Sequence, residues 1–234
     1  MRMGTVDFAS PFYPYEKVQT GFLTFKGAES IPYKILMYLL DLPDKAGYMP
    51  ADDNSRPRVR FAKYLWYDGE NPLNKPLPSP KEKLSMLYDG NEAVLNTSAD
   101  KKKHPVGYRL FPQLYIHQSE LEAKTTVKVY IGRVINNSPT KATIGLAFEI
   151  GVNCEQDNVS KTTAYSKIYA IECVLIEALH GVNIAGVGVV NISRQAHTDN
   201  GSRPYHDEGV HIYRHLHMSI DWQESSVPEY ITAY

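Results

Sequence analysis

The side chains best equipped for chemistry stand near the C-terminal end. His215-Leu216-His217 puts two imidazoles two residues apart, and in an extended strand, where successive side chains alternate between faces, both rings emerge on one side. Such a pair begins a metal site but does not complete one, because a protein metal centre takes three or four donors. Val210–Trp222 reads as that strand, with Val210, Ile212, Leu216, Met218, Ile220 and Trp222 on one face. His211, Tyr213, His215, His217, Ser219 and Asp221 fall on the other. A strand that turns a polar face to solvent or to a neighbouring subunit has the same pattern, so the spacing allows both readings. His206 and Asp207 just precede it and would join the histidines only through a fold-back that the sequence does not specify.

Other motifs fall short of chemistry. Gly186-Val187-Gly188 has Asn191 where a dinucleotide loop has its third glycine, and it leads from a helix into a strand, the reverse of the order that loop needs. There is no Gly-x-Ser-x-Gly elbow, no Gly-x-x-x-x-Gly-Lys loop and no Cys-x-x-Cys. Asp68, Glu70, Glu149, Glu155 and Asp157 are available carboxylates near strand ends, with no spacing that pairs them. Cys154 and Cys173 are too few for a disulfide scaffold and are expected as small core-filling side chains. The run Asp100-Lys101-Lys102-Lys103-His104 suits a solvated loop tip or a phosphate contact. The expectation is a chain that is not an enzyme and carries no cofactor and no metal.

These residues need a scaffold. The chain has 234 residues, 43% of them apolar, and 25 Lys+Arg against 26 Asp+Glu. That is enough for one domain over residues 1–234, and a net charge of -1 excludes a summed field that would hold nucleic acid or anionic lipid. The compact apolar runs Ile35–Leu40 and Val187–Val190 are far shorter than the roughly 20 residues that cross a bilayer. Asp7, Pro11 and Pro14 break up any signal-peptide core, so synthesis and folding in a cytoplasm are expected, without a membrane partner. The 17 tyrosines, against 7 Phe and 2 Trp, suit contact surfaces or a Tyr-rich sheet.

Residues 1–29 read as an extended aromatic arm and 223–234 as a C-terminal tail, flanking a 30–222 core. Ser30, Pro32 and the face Ile35, Leu36, Leu39, Leu40 predict a short helix ending near Pro43. Arg58–Tyr67, aromatic and β-branched without a breaker, reads as a strand. A Pro-rich loop insertion, 68–107, contains the capping box Ser79-Pro80-Lys81-Glu82, which predicts a helix over Pro80–Tyr88. Arg109–Ile116 is a strand that Pro112 marks as an edge or bulge. Thr126–Ile135, with Val127, Val129, Ile131 and Ile135 on one face, and the alternating Ala142–Val152 form an antiparallel hairpin across Asn136-Asn137-Ser138-Pro139. Thr162 or Thr163 caps a helix running to about His180 with Gly181 as its stop, and Gly186–Ile192 is a further strand.

Several blocks resemble a known family. They are Arg58-Val59-Arg60-Phe61 through Leu65-Trp66-Tyr67-Asp68-Gly69-Glu70-Asn71-Pro72-Leu73, then Gly107-Tyr108-Arg109-Leu110-Phe111-Pro112-Gln113, and the run from Tyr165 through Ile176-Glu177-Ala178-Leu179-His180-Gly181 to Gly186-Val187-Gly188. With Gly201-Ser202-Arg203-Pro204 and the closing strand, they resemble the tail-terminator (tail-completion, neck) proteins of tailed bacteriophages, over roughly Arg58 to Trp222. The resemblance implies an α+β fold, a mainly antiparallel β-sheet packed by one long and one or two short helices. It also implies a virion structural protein, assembled in the host bacterial cytoplasm as a ring homo-oligomer, a homohexamer, at the head-proximal end of the tail tube. The partners it implies are further copies of the chain, the tail tube protein, the head-tail connector, a sheath protein where the tail contracts, and DNA only in passage through the lumen. Trp66, Tyr67, Asp68, Asn71, Pro72 and Leu73 are the candidate subunit-interface residues, since a Trp-Tyr pair running into a rigid proline loop offers anchors with little entropy to lose. Packing of that loop on its own domain is the competing reading. A metal-dependent enzyme using His215 and His217 is the alternative function.

Overall fold

The computed structural model describes residues 27–43, 50–88, 108–113, 125–138, 141–154, 157, 166–192, 203–206 and 211–223, with the backbone alone for 203–206 and 223. The N-terminal arm up to residue 26, the basic run 100–104, Thr162, Thr163, Val210 and the tail from 224 lie outside the described residues. The fold is α+β. Its elements are α1 (Ile31–Leu40), α2 (Pro57–Trp66), α3 (Pro80–Ser85), β1 (Leu110–Phe111), β2 (Thr126–Ser138), β3 (Lys141–Asn153), α4 (Lys167–Leu179), β4 (Val182–Ile184), β5 (Gly188–Ile192), β6 (Arg203–His206) and β7 (His211–Gln223).

Strands β3 and β7 form the spine of the sheet, antiparallel and in unbroken register from Lys141↔Gln223 to Asn153↔His211. Strand β2 flanks β3 as the expected antiparallel hairpin, and among the described residues β1 adds parallel to β2 at Val127 and Lys128. On its other edge β7 takes β5 at Met218–Ile220 and β6 at Ile212–His215, with β4 antiparallel to β5 outside. The faultless alternation of β3 works as its period dictates. Ile144, Leu146, Phe148, Ile150 and Val152 are fully or almost fully buried, opposite Ile220, Met218 and Leu216 of β7. Helix α4 lies over β3, β5 and β7, α1 over β2, and α2 packs across α1 and α4.

Four expectations are corrected. The segment Arg58–Tyr67 is not a strand but helix α2. Pro57 at its first turn has no N–H to waste and a φ already suited to a helix. The buried set Val59, Phe61, Ala62, Lys63, Tyr64 and Leu65 is wide because α2 lies between two other helices, which hides the 3.6-residue period. Second, Ile135 does not share a face with Val129. The register slips between Ile131 and Arg133, so Gly132 is an extra residue and Ile135 pairs with Thr143 on the opposite face from Ile144. Third, the long helix begins at Lys167, not near Thr162. Its cap is remote: the Asp157 carboxylate accepts from the Ile168 N–H at 2.9 Å and from Ser166 Oγ at 3.1 Å. Fourth, Cys154 is exposed and Cys173 only half-buried. Strands β4 and β6 were not foreseen. Strand β6 supplies the fold-back that the sequence left open, pairing His206 with Ile212.

Other expectations hold. Helix α1 buries Ile35, Leu36, Leu39 and Leu40. Helix α3 has both halves of the capping box, with Ser79 Oγ accepting from the Glu82 N–H at 3.3 Å and Glu82 Oε2 accepting from the Ser79 N–H at 2.7 Å. It ends at Ser85 rather than Tyr88, because Leu87 bridges to Leu110 and the Tyr88 N–H donates to the Leu110 carbonyl. Gly181 ends α4 at φ +75°, a backbone region that a side chain would strain.

Candidate functional site

Two clusters that join buried cations to carboxylates stand where the sequence located its candidates. The first lies across the sheet on the face away from the helices. Lys128 of β2, Glu149 of β3 and His215 of β7 occupy one row of paired positions, so all three side chains leave the sheet side by side. Lys128 Nζ lies 2.8 Å from Glu149 Oε1, and His215 Nε2 lies 3.1 Å from Glu149 Oε2. Both lysine and glutamate are buried, and Phe111, paired with Lys128, heads an aromatic cluster with Tyr88 and Tyr108 at this edge. Burial pushes the Glu149 carboxyl upward, but the hydrogen bonds and charges of His215 and Lys128 outweigh it and hold it at about 2. His217 stands one step along β7, its ring centroid 6.4 Å from that of His215, over the small Ala147 of β3. Among the described residues no group of three or more His, Cys, Asp or Glu could hold a metal ion. The pair His215 and His217 is brought together, but the carboxylate it meets already sits against a lysine.

The second cluster forms where the end of α2 meets β1, β2 and α4. Asp68 receives a two-pronged grip from Arg109, with Nη1 at 2.7 Å from Oδ1 and Nη2 on Oδ2. The Thr125 N–H approaches the same carboxylate at 3.4 Å. Lys167, fully buried at the first turn of α4, donates to the Tyr67 carbonyl at 3.0 Å and lies 3.6 Å from Asp68 Oδ1. Burial pushes the Lys167 ammonium down to about 8, against the pull of Asp68. Burial raises the Asp68 carboxyl, yet Arg109 and then Lys167 bring it below its ordinary value. A cation buried beside a helix N-terminus opposes the helix dipole, so the aspartate is what makes this position tenable.

The six interface candidates share this neighbourhood, and most of them make contacts within the chain. Trp66 and Leu73 pack half-buried on the main core and Pro72 is buried. Tyr67 donates its hydroxyl to the Pro76 carbonyl at 3.0 Å, and burial raises its pKa. The Leu73 carbonyl accepts from Asn54 Nδ2 at 2.9 Å and from the buried Lys63 Nζ at 3.2 Å. Asn71 is exposed, in the left-handed region at φ 50°. The described part of the Pro-rich loop is therefore tied down at many points.

Sequence reasoning missed Lys128, Arg109, Lys167 and Lys63. The signal was present: a lysine within the otherwise apolar run Thr126–Ile131, and another opening an apolar helix, are charges that need a buried partner. Asp41 behaves likewise, buried and left-handed after α1, with Arg56 at 3.1 Å and Arg58 at 2.9 Å, while Lys83 donates to its carbonyl at 3.2 Å. Of the other carboxylates, Asp157 caps α4, Glu70 is exposed and Glu155 lies outside the described residues.

A family model described as YomW matches residues 59–215, which spans both clusters and more than half of the chain. No curated protein matches it. From α2 to the middle of β7, the matched stretch contains every residue of the two ion clusters, and the chain belongs to the YomW family, a phage-associated family.

Proposed function

We propose that the protein is a structural component of a phage particle, a ring-forming subunit at the head-proximal end of the tail tube that ends tube growth and joins the tail to the head connector. The observation that carries this reading is the change along the β2–β3 hairpin. Thr126, Val127, Lys128 and Val129 are buried, whereas residues 132–134 and 136–137 of the same strand are exposed, with Val134 at 43%. A long strand that leaves its own core is contact surface, and a subunit that must touch two neighbours, a tube and a connector needs much of it. Membership in a phage-associated family favours the same reading. So do the ion clusters, whose charged groups are engaged with one another in the role of internal ties.

The ring is proposed as a homohexamer and the role as non-catalytic, with the virion as location. The test is the mass of the purified protein by light scattering, followed by negative-stain imaging. A closed particle of about six times the 26.5 kDa chain mass is expected. A strict monomer, both alone and in the presence of assembled tail tubes, would overturn the proposal.

A further inference from the structure

The Lys167 ammonium is confined where little replaces its water. The side chain is fully buried, and among the described residues its N–H donors find one acceptor within hydrogen-bond distance, the Tyr67 carbonyl at 3.0 Å. Asp68 Oδ1 lies beyond that distance at 3.6 Å, because both oxygens of the carboxylate are turned to Arg109. Asp157, the other carboxylate whose charge reaches Lys167, is committed to the cap of α4, where its Oδ1 accepts from the Ile168 N–H and Ser166 Oγ. Lys167 also opens α4, whose first-turn N–H groups add positive potential. An ammonium in such a place stays charged against its solvation.

What the lysine holds is the base of the Pro-rich insertion. Tyr67 and Asp68 lead into it and Arg109 leads out of it, so the grip of Arg109 on Asp68 joins its two ends across 41 residues. The Arg109 and Leu110 N–H groups both donate to the Met86 carbonyl, and the Arg109 carbonyl accepts from the Val127 N–H at 2.8 Å. The base is thus one block, and Lys167 is its charged tie to α4. The Asp68 side chain is 20% exposed, which places this joint where the core meets water.

We infer that Lys167 makes the joint between α4 and the insertion base a sprung, pH-dependent contact, in which the charged lysine favours an opened joint and the neutral lysine a closed one. In the open joint water solvates the ammonium, and the lysine has its ordinary value of 10.5; burial in the closed joint pushes it down to about 8. Between those values the open state binds more protons, so closure strengthens as pH rises through 8. Arg109 keeps its proton in this window, Asp68 is held below its ordinary value, and burial raises the Tyr67 hydroxyl above 10. Lys167 is therefore the member of the joint that switches. The device works alike in a single copy and in a ring.

The test follows the full chain between pH 7 and pH 9. Hydrogen exchange of peptides covering 66–68, 109–111 and 125–128, corrected for the intrinsic rate at each pH, should show protection rising about tenfold. At pH 7 these peptides should be less protected than 144–150 of β3, as a local opening requires. Lys167→Met keeps the Asp68–Arg109 pair and should show no such rise, whatever its absolute protection. In a 13C-labelled wild-type chain, the Lys167 Cε resonance should titrate with a midpoint near 8, a readout that stands even where the methionine variant does not fold. A midpoint above 10, a rise that Lys167→Met reproduces, or protection at the base equal to that of β3 overturns the inference.

Discussion

The two halves of the β2–β3 hairpin obey different rules although one pair of strands builds both. At the base, Lys128, Glu149 and Thr126 are buried and each strand is packed on its helix-side face. Toward the tip, Gly132 introduces a bulge, a second irregularity follows between Asn136 and Ser138, and the β2 side chains become exposed. There the polar contacts are exposed, such as Asn137 Nδ2 donating to Thr143 Oγ1 at 2.8 Å and Thr143 Oγ1 donating to Asp221 Oδ1 at 3.3 Å. Charge at the base must be matched because burial makes an unmatched ion costly, whereas charge at the tip is solvated and nearly free to change. The base is thus the part that specifies the fold, and the tip the part that leaves the core.

Substitutions can break this contrast in order of severity. Asp68→Ala leaves Arg109 and the fully buried Lys167 without their anion, and the loss of stability should be about 3–5 kcal/mol, read as a lower urea midpoint. Glu149→Gln leaves Lys128 facing a neutral amide and should cost about 2–3 kcal/mol near neutral pH. Its pH profile sharpens the point. The folded-state pKa of about 2 lies below the unfolded value near 4.5, so Glu149 contributes stability above about pH 4.5 that is lost as pH falls toward 2. The acid-induced loss of melting temperature should therefore be shallower in the glutamine variant. An equal slope in both proteins would mean that the row does not stabilise the base.

Gly151→Ala tests the packing of the same face. A Cβ there would lie 2.8 Å from Tyr213 Cε1 and 2.9 Å from Thr126 Oγ1, so one must move, at about 1–3 kcal/mol, measurable as a drop in melting temperature. Ser79→Ala removes the capping box of α3 and should cost about 1 kcal/mol, followed by chemical denaturation. At the tip, Val134→Thr should change stability by less than about 0.5 kcal/mol while weakening the assembled species in light scattering. Comparable destabilisation at Val134 and Gly151 would erase the distinction between base and tip.

Much of the fold was legible where one face of an element is buried and the other is not. The alternation in β3 and β7, the apolar stripe of α4 and the capping box of α3 are local patterns, and each appears where its period places it. Helix α2 was misread for the complementary reason: buried on several sides, it shows no stripe, and aromatic composition took the place of period. The face of Ile135 was misread because a one-residue bulge inverts all later side chains without altering the composition. At the candidate site, Asp68, Glu149, His215 and His217 were visible as residue types, but their roles were not.

By itself the sequence determined the periods of β3, β7 and α4 and the cap of α3, because these depend on interactions within a few residues. Only the tertiary structure decided that Asp68 meets Arg109 across 41 residues and Glu149 meets His215 across 66. The partner of a buried charge is chosen by distance in space at low dielectric, and that distance exists only after the chain has closed on itself.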